Sequence, residues 1–209
     1  MTPATLYFDV VSPYAYIMDV LLRRASLPLE ITLKPVLFAG LLKAHDNKGP
    51  AEIPRKRQYT YELCTWLAQR HDIPFRMPPV HPFNPIRYLR LIIALGSSRV
   101  VASAVFDSLY REGADPDDPR IWRALTVALG VAEPDARIEA AAVKLALRHN
   151  TEEAVAAGVF GVPTVLAGDR LFWGVDSLPM LEAWLSGDPA LESSAMQAAR
   201  QVRPGISRL

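Results

Sequence analysis

The fold is decided by residues 6–13, LYFDVVSP, close to the start of the chain. The first six of these residues are almost all aromatic, aliphatic or β-branched, which favours a short buried β-strand. A serine and a proline follow at once, and apolar residues then recur at helical spacing at Ile17, Val20 and Leu21. Serine at the N-cap with proline at the first helical position is a strong helix-start signal. We therefore predict a strand over 6–11 and a helix that begins at Ser12-Pro13.

A β-α-β unit follows from this start. Alternate residues are apolar over 29–34, so we predict a second strand there. Two strands joined by a helix in this way are parallel with a right-handed crossover. After Gly158 the strand pattern returns, because 162–166 and 170–173 flank Gly168-Asp169, a good two-residue hairpin turn. A helix that is predicted to start at Asp176-Ser177 follows this hairpin and completes a β-β-α unit.

The middle of the chain is predicted to be helical. Helices are expected over 59–71, 85–95, 100–110, 119–130 and 134–149, with Thr151 capping one more short helix. The order β-α-β, helices, β-β-α predicts an α/β fold of the thioredoxin-like type with an inserted all-helical domain. We place the thioredoxin-like domain at 1–37 and 159–209, and the helical insertion at 38–158. The segment from Gly187 onward is rich in small and polar residues and is expected to be loosely held.

Composition excludes several classes of partner. The 209 residues carry 23 basic and 22 acidic side chains, a net charge of +1, so no global field attracts nucleic acid or an anionic membrane. No run of apolar residues approaches the ~18 that a membrane span needs. The first residues lack the pattern of a secretion signal, so we expect a cytoplasmic protein.

The cysteine count and the spacing of His, Asp and Glu limit which redox and metal sites this chain could form. The single cysteine, Cys64, excludes an intramolecular disulfide, a CxxC redox pair and a cysteine-based zinc site. It falls on the apolar side of a predicted helix, where a buried and inert thiol is expected. No cluster of His, Asp and Glu has metal-ligand spacing, so no metal is expected.

Several stretches resemble one enzyme family over nearly the whole chain. Residues 7–16 (YFDVVSPYAY), 160–164 (FGVPT) and 172–177 (FWGVDS) resemble the 2-hydroxychromene-2-carboxylate isomerases, as do 40–43 (GLLK) and 81–85 (HPFNP). These isomerases are related to kappa-class glutathione transferases and, more distantly, to DsbA-type thiol oxidoreductases. The resemblance implies a glutathione-dependent isomerase that acts on a small aromatic acid in aromatic-compound degradation. Family members are often dimers, so the resemblance leaves a homodimer open.

Ser12 is the candidate catalytic residue. A thioredoxin-like oxidoreductase keeps its attacking cysteine at this junction of strand and helix and a partner three residues on, where this chain has Ser12 and Ala15. A helix N-terminus suits an anion, so the resemblance implies that Ser12 donates its hydroxyl proton to a glutathione thiolate. Ser12 as a plain N-cap, or as a nucleophile activated by histidine, are the alternatives, although no histidine has recognisable triad spacing.

The resemblance also implies the remaining site residues. The loop that carries Val162 and Pro163 is expected to face Ser12, with a cis peptide bond between Val162 and Pro163. This bond turns the Val162 backbone outward, so that glutathione pairs with it like an added strand. The glutathione-binding residues are Ser12, Val162, Pro163, Trp173, Gly174, Val175, Asp176 and Ser177. The substrate-binding residues are Lys43, Asn47, His81 and Asn84.

For Pro163 the alternative is an ordinary strand-edge proline, and for Asp176 and Ser177 it is plain helix capping. For Lys43 it is a solvated helix lysine, for Asn47 a turn, and for residues 81–85 a simple connector.

Two rival functions stay open on this sequence. A kappa-like glutathione transferase or peroxidase would use the same thiolate site on other electrophiles. A non-catalytic thioredoxin-like module would bind glutathione or a peptide without turnover.

Overall fold

The structure, a computed structural model, describes residues 1–205, so the last four residues of the predicted 159–209 segment lie outside it. Strand β1 (Thr2–Phe8), helix α1 (Pro13–Arg24) and strand β2 (Leu29–Pro35) form the predicted β-α-β unit. β1 and β2 pair in parallel from Thr2↔Leu29 to Phe8↔Pro35. The first strand thus begins four residues and ends three residues earlier than predicted. It ends at Phe8 because the side chain and carbonyl of Asp9 bind the Val11 and Ser12 N–H groups and turn the chain.

The helical block follows, and its bounds refine the predicted ones. Its helices are α2 Phe38–Ala44, α3 Pro54–Arg70, α4 Ile86–Ala94, α5 Arg99–Phe106, α6 Pro119–Ala128, α7 Pro134–Glu139 and α8 Ala141–Ala156. A short 3₁₀ turn spans Pro50–Glu52, and a single π-helical turn, Asp107–Arg111, extends α5. The sequence predicted one helix over 134–149, which the structure breaks at the extended residue Ala140.

The prediction that Thr151 starts a separate helix is wrong. Thr151 lies inside α8, and its hydroxyl donates to the Leu147 carbonyl at 2.8 Å. The same oxygen accepts the Leu37 N–H at 3.0 Å. A threonine that bonds the preceding turn can continue a helix, and here it also ties α8 to the end of β2.

The C-terminal half completes the sheet. β3 (Thr164–Ala167) and β4 (Arg170–Trp173) form an antiparallel hairpin across the predicted two-residue turn. β3 also pairs antiparallel with β1, which gives the strand order β2-β1-β3-β4. A 3₁₀ turn, Val175–Ser177, leads into α9 (Leu178–Leu185). A second 3₁₀ turn (Pro189–Glu192) and α10 (Ser194–Arg200) follow. These last elements carry a buried Leu191 where the sequence suggested a loosely held segment.

The sheet is covered on both faces. Leu6 and Phe8 point to a large core shared with α1 and the helical block, while Tyr7 between them points to a second cluster with Val36 and Ala154. This alternation follows from the two-residue period of a strand. The large core runs without interruption from the sheet into the helical block, so the division into 1–37, 38–158 and 159–209 stays a prediction. No helix within residues 1–205 is long and apolar enough to cross a bilayer.

Candidate active site

Ser12 caps the first turn of α1. Its backbone is extended, at φ −89° and ψ 114°, and its Oγ accepts the Ala15 N–H at 3.3 Å. The hydroxyl can donate to the Val162 carbonyl at 3.5 Å. Both contacts are at the long end of the hydrogen-bond range, so they hold the hydroxyl only weakly. Ser12 is 7% exposed and faces the loop that carries Val162.

The loop opposite Ser12 is shaped by a glycine and a tryptophan. The Val162–Pro163 peptide bond is cis, as the resemblance implies. A side chain on Gly161 would bring its Cβ to 2.5 Å from Trp173 Nε1, so only glycine lets the indole lie against this loop. Trp173 is half exposed and meets Phe160 edge-on, with ring centroids 5.0 Å apart. Phe160 and Trp173 thus form an exposed aromatic patch beside the loop that carries Val162.

The turn 174–177 joins the same region. The Gly174 N–H donates to the Pro163 carbonyl at 2.9 Å, and Gly174 has φ +81°, a conformation that glycine adopts without strain. The Ser177 hydroxyl donates to the Gly174 carbonyl at 2.7 Å, while the Asp176 side chain is exposed. The turn packs against α1. The structure therefore brings Ser12, the cis-proline loop and the turn 174–177 together.

The predicted substrate-binding residues do not form one cluster in the way that the predicted glutathione-binding residues do. Lys43 is exposed in the last turn of α2, and Asn47 is exposed with its Oδ1 accepting the Lys48 N–H at 2.8 Å. Between them, His45 Nε2 contacts the Val159 carbonyl at 3.1 Å, which links this segment to the chain leading into the cis-proline loop. Asn84 Oδ1 accepts the Ile86 N–H at 3.1 Å, a turn contact at the start of α4.

His81 is engaged entirely by the protein. Its Nε2 lies 2.7 Å from the Val11 carbonyl, and its Nδ1 lies 2.8 Å from the Tyr61 hydroxyl. The Tyr110 hydroxyl reaches the same Val11 carbonyl at 2.8 Å and the Val10 carbonyl at 3.0 Å. We call this arrangement of Tyr110 and His81 on the Val11 carbonyl the Val11 clamp.

Asp9 braces the same loop from the other side. It is fully buried, and its two carboxylate oxygens accept the Val11 N–H at 2.9 Å and the Phe38 N–H at 2.8 Å. Burial raises the pKa of the Asp9 carboxyl to about 7, although both N–H groups act to lower it. Asp9 thereby connects the loop before Ser12 to the start of α2.

Cys64 takes no part in this arrangement. It is fully buried on α3, and burial raises the pKa of its thiol to about 12 despite a hydrogen bond with Tyr14. A thiol with so high a pKa is unreactive at neutral pH. Among the described residues, no group of three or more His, Cys, Asp or Glu side chains could hold a metal ion.

Two surface grooves lie away from Ser12. One, of about 330 Å³, lies between β4 and α10. The other, of about 310 Å³, lies between α1 and the π turn. Neither is lined by Ser12 or by the cis-proline loop, so groove volume alone does not locate the candidate site.

Asp9, Tyr61 and Tyr110 are the residues at this site that sequence reasoning missed. Only Asp9 had a usable signal, since an acidic residue between a buried strand and a helix start is unusual. The two tyrosines lie on the helical block, 50 and 99 residues from Val11, and nothing in their local sequence marks them.

Comparison with known proteins gives the family. A model of the DsbA-like thioredoxin domain matches residues 5–186. This chain belongs to the DsbA-like thioredoxin family. At the head of α1 this chain has Ser12 and Ala15, so it lacks the pair of cysteines that dithiol chemistry would need there.

Glutathione transferases and isomerases are among the proteins that this chain is similar to. The chain is 29% identical to glutathione S-transferase kappa 2 of Caenorhabditis elegans, covering 86% of this chain and 90% of the relative. It is 28% identical to 2-hydroxychromene-2-carboxylate isomerase of Sphingobium xenophagum, covering 86% of this chain and 95% of that relative. A solved structure of a 2-hydroxychromene-2-carboxylate isomerase superposes with a TM-score of 0.80 at 24% identity, over 93% of this chain and 98% of that one. The thioredoxin-like fold with many added helices is therefore confirmed.

Proposed function

We propose that this protein is a glutathione-dependent isomerase that acts on 2-hydroxychromene-2-carboxylate or a similar small aromatic acid. The observation that carries the proposal is the Ser12 hydroxyl, held weakly at a helix N-terminus and facing the Val162 carbonyl at 3.5 Å. Isomerase relatives at 28% identity support the choice of reaction. Glutathione is abundant in the reducing cytoplasm, where we expect this enzyme to work.

The residues at the site fit the tripeptide. Among the described residues, the Val162 backbone makes no hydrogen bond shorter than 3.5 Å, so it can pair with an extended peptide. The exposed Asp176 carboxylate suits the ammonium of the γ-glutamyl end, and Ser177 and Val175 complete that turn. The wall of the glutathione site, between the Val162 backbone and the turn that carries Asp176, is assigned to Trp173, Gly174 and Pro163.

Ser12 has one chemical task in this proposal. Bound glutathione would supply a thiolate nucleophile, whose reversible addition to the conjugated double bond of the ring-opened acid would permit rotation about that bond. The Ser12 hydroxyl turns from the Val162 carbonyl and donates its proton in a hydrogen bond to the sulfur, while the positive end of α1 favours the negative charge. Ser12 does not itself attack carbon.

The substrate side is assigned to the segment after β2. Lys43 is an exposed cation and suits a substrate carboxylate, and the neighbouring Asn47 adds an amide. The side chains of His81 and Asn84 already bond to the protein, so we assign them to holding their own segments in place rather than to contacting substrate.

Two assays test the proposal. Purified protein is supplied with glutathione and either the chromene acid or a generic aryl halide. We expect interconversion of the chromene acid and its ring-opened isomer, at a rate that depends on glutathione and falls in Ser12→Ala. Conjugation of the aryl halide without isomerisation would instead identify a kappa-like transferase, the alternative favoured by the 29% identical relative. Binding of glutathione without turnover of either compound would identify a binding module.

A further inference from the structure

Two side chains from the helical block meet on the carbonyl that directly precedes Ser12. The Tyr110 hydroxyl lies 2.8 Å from the Val11 oxygen and 3.0 Å from the Val10 oxygen, so its single proton is shared between them. His81 Nε2 lies 2.7 Å from the Val11 oxygen. A carbonyl oxygen only accepts hydrogen bonds, so Nε2 carries the proton. Nδ1 is then an acceptor, and the Tyr61 hydroxyl shares its single proton between Nδ1 and the His81 carbonyl, each 2.8 Å away.

We propose that Tyr110 and His81 are positioning residues that fix the backbone of Ser12, and thereby the point from which its hydroxyl reaches the sulfur, through the Val11 carbonyl. This inference rests on the proposed function, in which that hydroxyl donates to a thiolate. The peptide group between Val11 and Ser12 is planar, so a fixed carbonyl fixes the start of the serine backbone as well.

The far side of the same segment is held too. The Val11 N–H donates to Asp9 Oδ1 at 2.9 Å, and the Ser12 N–H donates to the Asp9 carbonyl at 3.0 Å. The segment 10–12 therefore has a polar partner on each side. The Ser12 hydroxyl, in contrast, makes two hydrogen bonds to the described part of the chain, and these are long, at 3.3 and 3.5 Å. The backbone is rigid and the reactive group is loosely held, which suits a donor that must turn to a new acceptor.

The π turn explains how Tyr110 reaches the loop. Asp107–Arg111 is a single π turn directly after α5, and such turns are frequent at functional sites. The Tyr110 ring packs between Phe75 and Tyr16, with centroid distances of 6.0 and 5.7 Å, and is fully buried. Ring packing accounts for the phenyl group, whereas within residues 1–205 the hydroxyl hydrogen-bonds only to the Val10 and Val11 carbonyls.

Tyr110→Phe is the direct test, with Tyr88→Phe as its matched control. Tyr88 is equally buried, and its hydroxyl donates to the Pro116 carbonyl at 2.8 Å, away from the Ser12 loop. Both hydroxyls give their proton to a buried carbonyl, and the Tyr88 hydroxyl also accepts from Arg87 at 3.1 Å, so Tyr88→Phe is expected to lose at least as much stability as Tyr110→Phe. We expect only Tyr110→Phe to lower kcat, by about three- to tenfold, and to raise the pKa of the bound glutathione thiol, with KM for glutathione changed less than about twofold.

His81 provides a rescue experiment. Glutamine places an amide donor where Nε2 now lies, while leucine fills the space without a donor. We expect His81→Gln to keep most of the wild-type kcat and His81→Leu to lose it to about the same extent as Tyr110→Phe. Equal losses in the glutamine and leucine variants would contradict the role assigned to the Nε2 donor.

Amide hydrogen exchange over residues 10–16 separates this inference from the proposed function, because it needs no ligand. We expect faster exchange of this segment in Tyr110→Phe than in Tyr88→Phe, by about three- to tenfold. If the wild-type protein does not bind glutathione, the proposed function fails, but the exchange result still decides whether the clamp fixes the loop. Unchanged exchange, or a thiol pKa and kcat altered equally in both variants, would overturn the positioning role.

Discussion

Replacing Ser12 with alanine isolates the donor that the proposed mechanism needs. The change removes one oxygen that makes two long contacts, at 3.3 Å with the Ala15 N–H and at 3.5 Å with the Val162 carbonyl. The backbone bonds that hold the loop, from Ser12 N–H to Asp9 and from the Val11 clamp, stay in place. The variant therefore tests the hydroxyl rather than the loop.

The size of the effect follows from the strength of a charge-assisted bond. A hydrogen bond to a charged group contributes about 1.5–3 kcal/mol, which is about one to two pKa units for the bound thiol. A free thiol with a pKa of ~8.5 is about 3% ionised at pH 7, and lowering its pKa by that amount raises the ionised share to about 25–75%. Ser12→Ala should therefore lower the thiolate share at pH 7 by about eight- to twenty-fivefold. The rate should recover at high pH, where the thiol ionises unaided.

Ser98→Ala is the matched control for the capping role. Ser98 caps α5 by accepting the Val101 N–H at 3.4 Å, a contact as long as that of Ser12. Loss of so long a cap is expected to cost less than about 1 kcal/mol, a few degrees in Tm for a chain of this size. The assay is a pH titration of the thiolate absorbance of bound glutathione, together with the pH–rate profile. Equal profiles for Ser12→Ala and Ser98→Ala would refute the reasoning.

Three further predictions follow from the buried groups around the site. The pKa of Asp9 is raised from 3.8 to about 7 in the folded protein, so its protonated form stabilises the fold. This contribution to the free energy of unfolding is fully present below about pH 4. It is lost as the pH rises to about 7, so the free energy of unfolding falls by about 4 kcal/mol over this range. Asp9→Asn should flatten the pH dependence of urea unfolding over this range, and a slope like that of the wild type would contradict it. Gly161→Ala should lower stability by about 1–3 kcal/mol and weaken glutathione binding, because its Cβ would lie 2.5 Å from Trp173 Nε1. Gly205→Ala, in open space, is its control. Cys64 should react with a thiol reagent only on unfolding, since its thiol is buried with a pKa of about 12, and rapid labelling of the native protein would show otherwise.

Local signals predicted most of the fold. Ser12-Pro13 marked the start of α1, and Gly168-Asp169 marked the hairpin, because caps and tight turns depend on a few adjacent residues. The errors arose where a distant contact overrode the local pattern. Thr151 looks like a helix cap in isolation, but its hydroxyl donates to Leu147 within α8 and accepts from Leu37, which follows β2 and lies 114 residues away in the chain.

The candidate site was predictable only in part. Ser12 and the cis-proline loop carry motifs, and the structure brings them within 3.5 Å of each other. His81 has the right motif, but its ring contacts the Val11 carbonyl and Tyr61. Tyr110 carries no motif at all, because its position depends on a π turn and on packing with Tyr16, which lies 94 residues away. Such long-range contacts have no signature in a single sequence.

Proton release on glutathione binding tests the central claim most directly. Calorimetric titrations in two buffers with different ionisation enthalpies give the number of protons released. If the bound thiol has a pKa of ~7, the account predicts release of about two thirds of a proton at pH ~7.5. S-methylglutathione, which has no thiol proton, should bind with none. Equal release for the two ligands, or no binding of glutathione, would contradict the account.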